Sequence, residues 1–307
     1  MKHRLVIILL VTLMMIILMS SCIGNMFFAS DMERTISKSK ELVPAEGITV
    51  VCYNYLQYDS YSKLNQTFEE MEKNDSLVIL RIFCIEGSIC YCAAQKLDDE
   101  SNTLLLVSAD IDGGGFETVG NYDMESRYLF DSSGYGSAEY LHYQGDDVQY
   151  SQLYAFYYEG KIVINTKSSV VEYDVKSGIT NELQKADYAY PEIETRLFLR
   201  EDDSILVKTG SEEYSLTLSE MLNSSSEIRF LYDLTKKQGY PELDKHRFLY
   251  SVVYYNAEPY IVFHLLSRWG ISFGALFKFD EENRCFSYID CCNTNDIPND
   301  VYPVFVN

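Results

Sequence analysis

Residues 151–183 constrain the fold of this chain more than any other stretch, because they predict four short strands joined by three tight turns. Glu159-Gly160 separates two apolar runs, and glycine there supplies the positive φ that a two-residue hairpin needs. This turn places Tyr157 opposite Ile162. One face is then predicted to carry Leu153, Ala155, Tyr157, Ile162 and Ile164, and the other Tyr154, Phe156, Tyr158 and Val163. A sheet that is apolar on both faces is expected to be covered on both sides.

The same plan recurs along the chain. Candidate third strands end in aspartate at Asp110, Asp174, Asp233 and Asp280, with spacings of 64, 59 and 47 residues. Candidate first strands occupy 77–85, 151–158, 196–200 and 247–255. Repeats of about 40 to 50 residues with inserted loops are typical of propeller blades. The sequence therefore predicts an all-β fold, a β-propeller of about five to seven four-stranded blades.

The domain is predicted to span residues 46–307. Residues 46–58 and 121–150 are candidates for further blades, and 301–306 for a strand that closes the ring against the N-terminal strand. One short helix is expected near the N-terminus of the domain, because four large apolar side chains recur there at helical spacing. They are Tyr61, Leu64, Phe68 and Met71.

The segment Asp110-Ile111-Asp112-Gly113-Gly114 resembles the strand-Asp-x-Asp-Gly turn of TolB-like bacterial β-propeller repeats. The resemblance covers residues 77–290 and is strongest at 77–120 and 151–183. It implies a propeller, and its motif specifies a turn rather than a catalytic residue. Asp110, Asp112 and Gly115 also match three positions of a calcium loop, but Gly114 and Asn121 do not match the remaining ligand positions. We therefore interpret the segment as a turn and expect no metal.

The N-terminus has the layout of a signal peptide at residues 1–21, with three polar or basic residues followed by an apolar run. Met19-Ser20-Ser21-Cys22 resembles a bacterial lipobox, although that motif usually has leucine where this chain has Met19. The resemblance implies lipidation of Cys22 with acyl chains that include palmitate, followed by a tether at residues 22–45. Several acyl chains give lasting attachment to a membrane. An uncleaved anchor helix that continues to Ala29 is the alternative, and both interpretations place the domain outside the cytoplasm.

The formal net charge of −21 limits the classes of partner. A strongly acidic domain repels phosphate backbones and anionic headgroups, which argues against nucleic-acid binding and against direct membrane contact by the domain. We expect the membrane to be a partner through the N-terminal lipid alone.

Eight cysteines do not imply a disulfide framework in a domain of this size. With Cys22 acylated, seven remain, and buried thiols are the default interpretation. Cys84 and Cys90 would lie opposite each other only if the turn between them had three residues.

Motifs for catalysis are weak. Gly270-Ile271-Ser272-Phe273-Gly274 matches the hydrolase nucleophile pattern, but a strand rather than a helix is predicted to follow it, and no histidine follows His264. Acidic pairs, among them Glu212-Glu213 and Glu281-Glu282, lie in predicted turns and are interpreted as solvated loop charge, although a propeller brings turns of different blades together. Trp269 beside Arg268 is a candidate platform for stacking a sugar, and a position in a propeller groove or in the core is the favoured interpretation.

These observations predict an extracytoplasmic, membrane-anchored lipoprotein whose propeller is a non-catalytic module that binds a protein or glycan, or a scaffold subunit. No cofactor is expected. The alternative function is a carbohydrate-active hydrolase on the same fold. Any site is predicted to lie in the irregular insertions, with 121–150 and 256–274 as the first places to look.

Overall fold

The computed structural model describes residues 49–52, 62–97, 101–125, 151, 153–200, 204–237, 249–266, 272–293 and 303–306. Its strands in the first half of the chain are β1 (Thr49–Cys52), β2 (Leu77–Glu86), β3 (Ile89–Lys96), β4 (Thr103–Asp110), β5 (Phe116–Asp123), β6 (Ala155–Tyr158), β7 (Lys161–Asn165), β8 (Ser169–Asp174) and β9 (Thr180–Gln184). The second half has β10 (Thr195–Leu199), β11 (Ile205–Thr209), β12 (Glu212–Leu216), β13 (Leu249–Tyr255), β14 (Glu258–Leu266), β15 (Ser272–Asp280), β16 (Cys285–Asn293) and β17 (Pro303–Val306). The helices in these ranges are α1 (Ser62–Asp75), α2 (Leu218–Ser224) and α3 (Ser226–Lys237). None of the described helices is long and apolar enough to cross a membrane.

The strands form four sheets in chain order, a propeller-like succession that is mostly four-stranded. The first sheet has the order β1-β17-β2-β3-β4-β5, the second β6-β7-β8-β9, the third β10-β11-β12 and the fourth β13-β14-β15-β16. Consecutive strands within each sheet pair antiparallel through short turns. The predicted register of the second sheet is confirmed, with Tyr157 opposite Ile162 and Phe156 opposite Val163.

The last strand closes the first sheet. β17 pairs antiparallel with β1, with Thr49 opposite Val306, and meets β2 in parallel at Val306 and Ile85. The prediction that the C-terminal strand pairs with the N-terminal one is therefore confirmed. Phe305 lies between two aromatic rings of the fourth sheet, at 3.7 Å from Tyr255 and 5.3 Å from Tyr260 between ring centroids.

Three hydrophobic clusters hold the sheets together. Cluster one joins the first, second and fourth sheets, and cluster two joins the second, third and fourth sheets with α2 and α3. Strands β6 to β8 of the second sheet are buried on both faces, as predicted, with Ile162 in cluster one and Val163 in cluster two, whereas β9 is exposed. Cluster three lies between the first sheet and α1, where Leu64, Phe68 and Met71 are buried. The predicted helix is thus confirmed over Ser62–Asp75, and it covers the face of the first sheet that no other described sheet covers.

The predicted third strand of one repeat is wrong. The segment that ends at Asp233 is helical, within α3, because the Ser225 hydroxyl caps that helix by accepting a hydrogen bond from the Ile228 amide at 3.2 Å. The third sheet accordingly has three strands, and α2 and α3 follow it in place of a fourth. The described residues hold four sheets, and the count of five to seven blades stays a prediction.

The start of the second sheet also differs from the prediction. Strand β6 begins at Ala155, and the backbone bends at Tyr154. The predicted alternation of side chains between the two faces therefore does not extend to the residues before the strand. Tyr154 packs in cluster one, on the face of Ala155, and Leu153 packs in cluster two, on the face of Phe156.

The β2–β3 turn determines the cysteine geometry. It has two residues, because Glu86 pairs with Ile89, so Cys84 lies opposite Tyr91 rather than Cys90. Cys84, Cys90 and Cys92 are buried free thiols, and burial raises the pKa of each.

Candidate functional site

A groove runs between one end of the third sheet and one end of the fourth. It consists of two adjoining cavities of about 610 Å³ and 1140 Å³, which share Glu192, Glu194, Glu281 and Glu282 as lining residues. Hairpin turns of both sheets form its walls, together with the segment that leads into β10. A groove of this size is larger than a single side chain needs and accommodates a segment of another molecule.

The groove is acidic. Six acidic side chains and one basic side chain line the smaller cavity, and five acidic and three basic side chains line the larger one. Glu192 and Glu194 are exposed on either side of the buried Ile193, so alternation along the chain directs both carboxylates away from the core. The side-chain carboxylates of Glu192, Glu194 and Glu282 make no hydrogen bond or ion pair within the described part of the chain.

Glu281 ties the two walls together. Its carboxylate accepts hydrogen bonds from the Thr195 hydroxyl at 2.5 Å and from the Thr209 hydroxyl at 2.8 Å. Thr195 and Thr209 are directly opposite each other on β10 and β11, and their hydroxyl oxygens are 2.5 Å apart. The β15–β16 turn is therefore fixed against the third sheet through both oxygens of one carboxylate.

A second link lies at the far side of the larger cavity. The Arg284 guanidinium donates to Glu212 at 3.1 Å and lies 4.3 Å from the centre of the Tyr214 ring. Stacking of an arginine on an aromatic ring adds to an exposed ion pair that is weak by itself. Both links join residues 72 or more positions apart in the chain, so the groove depends on the packing of the two sheets.

The smaller cavity is bounded by the β13–β14 turn. Asn256 and Ala257 both have positive φ, of 51° and 63°, as a two-residue hairpin requires. The Asn256 side chain accepts a hydrogen bond from the Glu159 amide at 2.9 Å, which joins this turn to the β6–β7 turn. Lys278 forms an ion pair with Glu258 at 2.6 Å.

The carboxylates whose contacts are defined have structural roles. Asn283 donates hydrogen bonds to Asp280 from its side chain and its amide, and these bonds lower the pKa of that carboxyl below its usual value. Asp280 is therefore ionised near neutral pH and does not suit a general acid. Glu281 has both oxygens occupied by threonine hydroxyls, and Glu258 is paired with Lys278. Carboxylates held in fixed positions are suited to binding cationic groups.

The structure brings together several residues that the sequence placed in separate turns. Glu212 and Glu281-Glu282 belong to different sheets and line one cavity. The predicted range 256–274 contributes Asn256 to Pro259 to the smaller cavity. Sequence reasoning missed Glu192 and Glu194. Their signal was the alternation of exposed glutamates with a buried isoleucine just before a strand.

The other candidates separate into two groups. Asp110 forms a turn, as predicted: its side chain accepts from the Asp112 amide at 2.8 Å, and Gly113 follows with a φ of 86°. No group of three or more metal-ligating side chains occurs among the described residues. Ser272 and Gly274 lie in strand β15. Outside the described residues lie the signal peptide, Cys22, the tether, most of 121–150, and Arg268 and Trp269.

Comparisons with known proteins do not identify a family. No family model matches the chain, and no curated protein matches it. Among solved structures, the N-terminal domain of Nup159 has 14% identity and a TM-score of 0.20, covering 71% of this chain and 48% of that one. A complex of S. cerevisiae Dbp5 with Nup159, Gle1, IP6 and ADP has 13% identity and a TM-score of 0.16, with coverages of 71% and 58%. This chain thus spans about half the length of the Nup159 domain structure, and its fold is defined by its own sheets.

Proposed function

We propose that this protein is an exported lipoprotein, anchored through Cys22, whose propeller-like domain is a non-catalytic module that holds a protein ligand in the groove between the third and fourth sheets. The proposal rests on one observation, that the groove has fixed walls and carboxylates without partners. Two walls from distant parts of the chain are fixed by Glu281 and Arg284, and three carboxylates between and beside them have no partner of their own.

The charge of the groove indicates the kind of ligand. Since acidic side chains outnumber basic ones in both cavities, a ligand with lysine or arginine side chains would gain charge-assisted hydrogen bonds there. The overall charge of −21 would also speed its approach, and this effect weakens as salt increases.

The binding test compares two charge reversals of equal size. A triple variant with Glu192→Lys, Glu194→Lys and Glu282→Lys changes the groove, and a control triple variant with Glu117→Lys, Asp123→Lys and Glu125→Lys changes exposed positions on and beside β5. A ligand that copurifies with the wild type and the control but not with the groove variant supports the proposal. Equal recovery with all three proteins would overturn it.

The anchor has its own test. Globomycin should cause the precursor to accumulate, and Cys22→Ala should abolish metabolic labelling with palmitate while leaving the chain uncleaved. Labelling that persists in the Cys22→Ala variant would show that Cys22 is not the acylated residue, whatever the outcome of the binding test.

The TolB-like repeat and the count of five to seven blades belong to the same proposal. They are supported by the turn at Asp110 and by the consecutive antiparallel sheets. Most of the predicted further blades at 46–58 and 121–150 lies outside the described residues. An experimental structure of the whole chain with only four blades would refute the count.

The carbohydrate-active hydrolase is a second candidate, favoured by the three unpartnered glutamates of the groove. Hydrolysis of a glycan that is lost in Glu192→Gln, Glu194→Gln or Glu282→Gln would support it. Glycan binding without turnover would leave the module non-catalytic and give it a glycan ligand.

A further inference from the structure

Strand β9 is the outer edge of the second sheet and is unusually open. All five of its residues are exposed, and it pairs with β8 alone. Three large hydrophobic side chains are strongly exposed among the described residues. One of them, Leu183, at 36%, lies in β9, and a second, Ile179, at 58%, directly precedes it. An open strand edge with apolar side chains is a template for pairing with another strand.

Two other outer strands that end a sheet, β5 and β16, have interrupted ladders, whereas the ladder of β9 is regular. The ladder of β4 with β5 shifts register between Leu106 and Val107, and that of β15 with β16 shifts between Leu276 and Phe277. Bulges of this kind protect an edge from pairing. The ladder of β8 with β9 runs without a shift from Ser169 to Tyr173.

The backbone of β9 also presents free hydrogen-bonding groups at known positions. The Asp174 amide donates to the Ile179 carbonyl at 2.9 Å, so the backbone of Asp174 is directed toward β9, while the Val175 amide is directed to the other side, toward Gly160. Because hydrogen-bonded pairs alternate along an antiparallel ladder, Asn181 and Leu183 also bond inward to β8. The amides and carbonyls of Thr180, Glu182 and Gln184 therefore point away from the sheet.

We infer that the second copy of this chain is the partner of this edge, through antiparallel pairing of β9 with its counterpart about a two-fold axis at Asn181. Ile179 and Leu183 lie two residues on either side of Asn181 and on the same face of the strand. In this register each Ile179 faces the Leu183 of the other copy, and each Glu182 faces Thr180. The outward amides of Thr180 and Glu182 then meet acceptors across the axis.

The neighbouring symmetric register is disfavoured. With the axis at Glu182, the Glu182 carboxylates of the two chains would face each other. Like charges directly opposite each other destabilise a strand pair. The apolar contact between Ile179 of one copy and Leu183 of the other would also be lost, since Ile179 would face Lys185. The side-chain pattern of this edge therefore selects both the partner and the register.

The association is expected to be weak and sensitive to salt. Pairing of one five-residue strand buries less than the roughly 1,200 Å² of a stable interface, so dimer formation depends on concentration. The net charge of −21 on each copy opposes approach. Salt screens that repulsion, so the dimer fraction should rise between about 0.05 and 0.5 M NaCl.

Cysteine cross-linking in the full-length protein tests the register. Residues of the two copies that face each other at the axis form a non-hydrogen-bonded pair with Cα atoms about 4.5 Å apart, within disulfide range. Asn181→Cys should therefore form a disulfide dimer under mild oxidation at least about tenfold faster than Glu182→Cys, whose copies lie on a diagonal about 7 Å apart. The parent protein measures the background from its own cysteines.

A second pair of variants tests the apolar contact. Leu183→Lys should abolish the concentration-dependent dimer in sedimentation, whereas Leu97→Lys, at the third exposed apolar position and 47% exposed, should leave it unchanged. Urea midpoints verify that both variants are folded. Equal cross-linking at positions 181 and 182, or a monomer at every concentration and salt, would overturn the inference. Neither result bears on ligand binding in the groove, because no residue of β9 lines either cavity.

Discussion

Glu281 is the residue on which the geometry of the groove most depends. Glu281→Ala removes both acceptors from Thr195 and Thr209 and should lower the free energy of unfolding by about 1 kcal/mol, the usual net contribution of such hydrogen bonds. Urea unfolding followed by tyrosine fluorescence measures the change. Glu282→Ala is the matched control, because the side chain of this neighbour makes no described hydrogen bond or ion pair, and the substitution should change stability by less than about 0.5 kcal/mol. Equal effects of the two substitutions would contradict the role of Glu281.

Ala257 carries local strain that glycine would relieve. Its φ of 63° lies in the left-handed region, where a residue with a Cβ is disfavoured, and the preceding Asn256 already suits this type of turn. Ala257→Gly should therefore stabilise the protein by about 1 kcal/mol, seen as a higher thermal midpoint. Ala155→Gly, in the buried strand β6, should do the opposite. A lower midpoint for Ala257→Gly would show that the turn is not strained.

Buried thiols and phenols predict a loss of stability at alkaline pH. Burial raises the pKa of the Cys84, Cys90 and Cys92 thiols above the ordinary value of 9.0, and raises the pKa of Tyr91 and of Tyr188 to about 12. Above pH 9 the unfolded chain therefore releases protons that the folded chain keeps, so stability falls as pH rises.

The urea midpoint should fall steadily between about pH 8.5 and 10.5. Replacing all three buried cysteines by alanine should reduce the slope, because it removes the thiols that ionise only in the unfolded chain. A midpoint that is constant over this range would contradict the burial of these groups.

Strand β17 stabilises the molecule through one aromatic side chain. Phe305 stacks on Tyr255 and contacts Tyr260 edge to face, and it is only 4% exposed. Phe305→Ala should cost about 3–5 kcal/mol, measured by chemical unfolding. Phe305→Leu keeps an apolar side chain there and should cost about 1 kcal/mol. A loss below about 1 kcal/mol for Phe305→Ala would show that β17 is not needed to close the first sheet.

Sequence patterns predicted those strands and helices in which the apolar residues recur at one clear spacing. The two-residue turn at Glu159-Gly160 fixed the register of β6 and β7, and helical spacing identified α1. The pattern failed at α3, because the segment that ends at Asp233 contains the large apolar residues of a strand, whereas the Ser225 cap directs it into a helix. Tyr154 was placed on the wrong face because a backbone bend, which has no simple sequence signal, precedes the strand.

The groove is formed by residues that are far apart in the chain, and it was therefore much harder to predict than the strands and helices. Its links join Thr195 to Glu281 and Glu212 to Arg284, pairs that are 86 and 72 residues apart. The sequence identified the acidic turns but could not place them beside each other, because that depends on how the third and fourth sheets pack through cluster two. The glutamates at 192 and 194 were missed since no repeat or motif marks the segment before β10.

Photo-cross-linking in living cells is the most direct test of the groove as a docking site. A benzophenone amino acid at position 194 or 282 should yield one discrete adduct with a protein ligand, whereas the same probe at the exposed control positions 117 and 125 should yield none. The adduct from position 282 should disappear when Glu192 and Glu194 are changed to lysine. Adducts of the same pattern from all four positions, or none from the groove, would contradict the account.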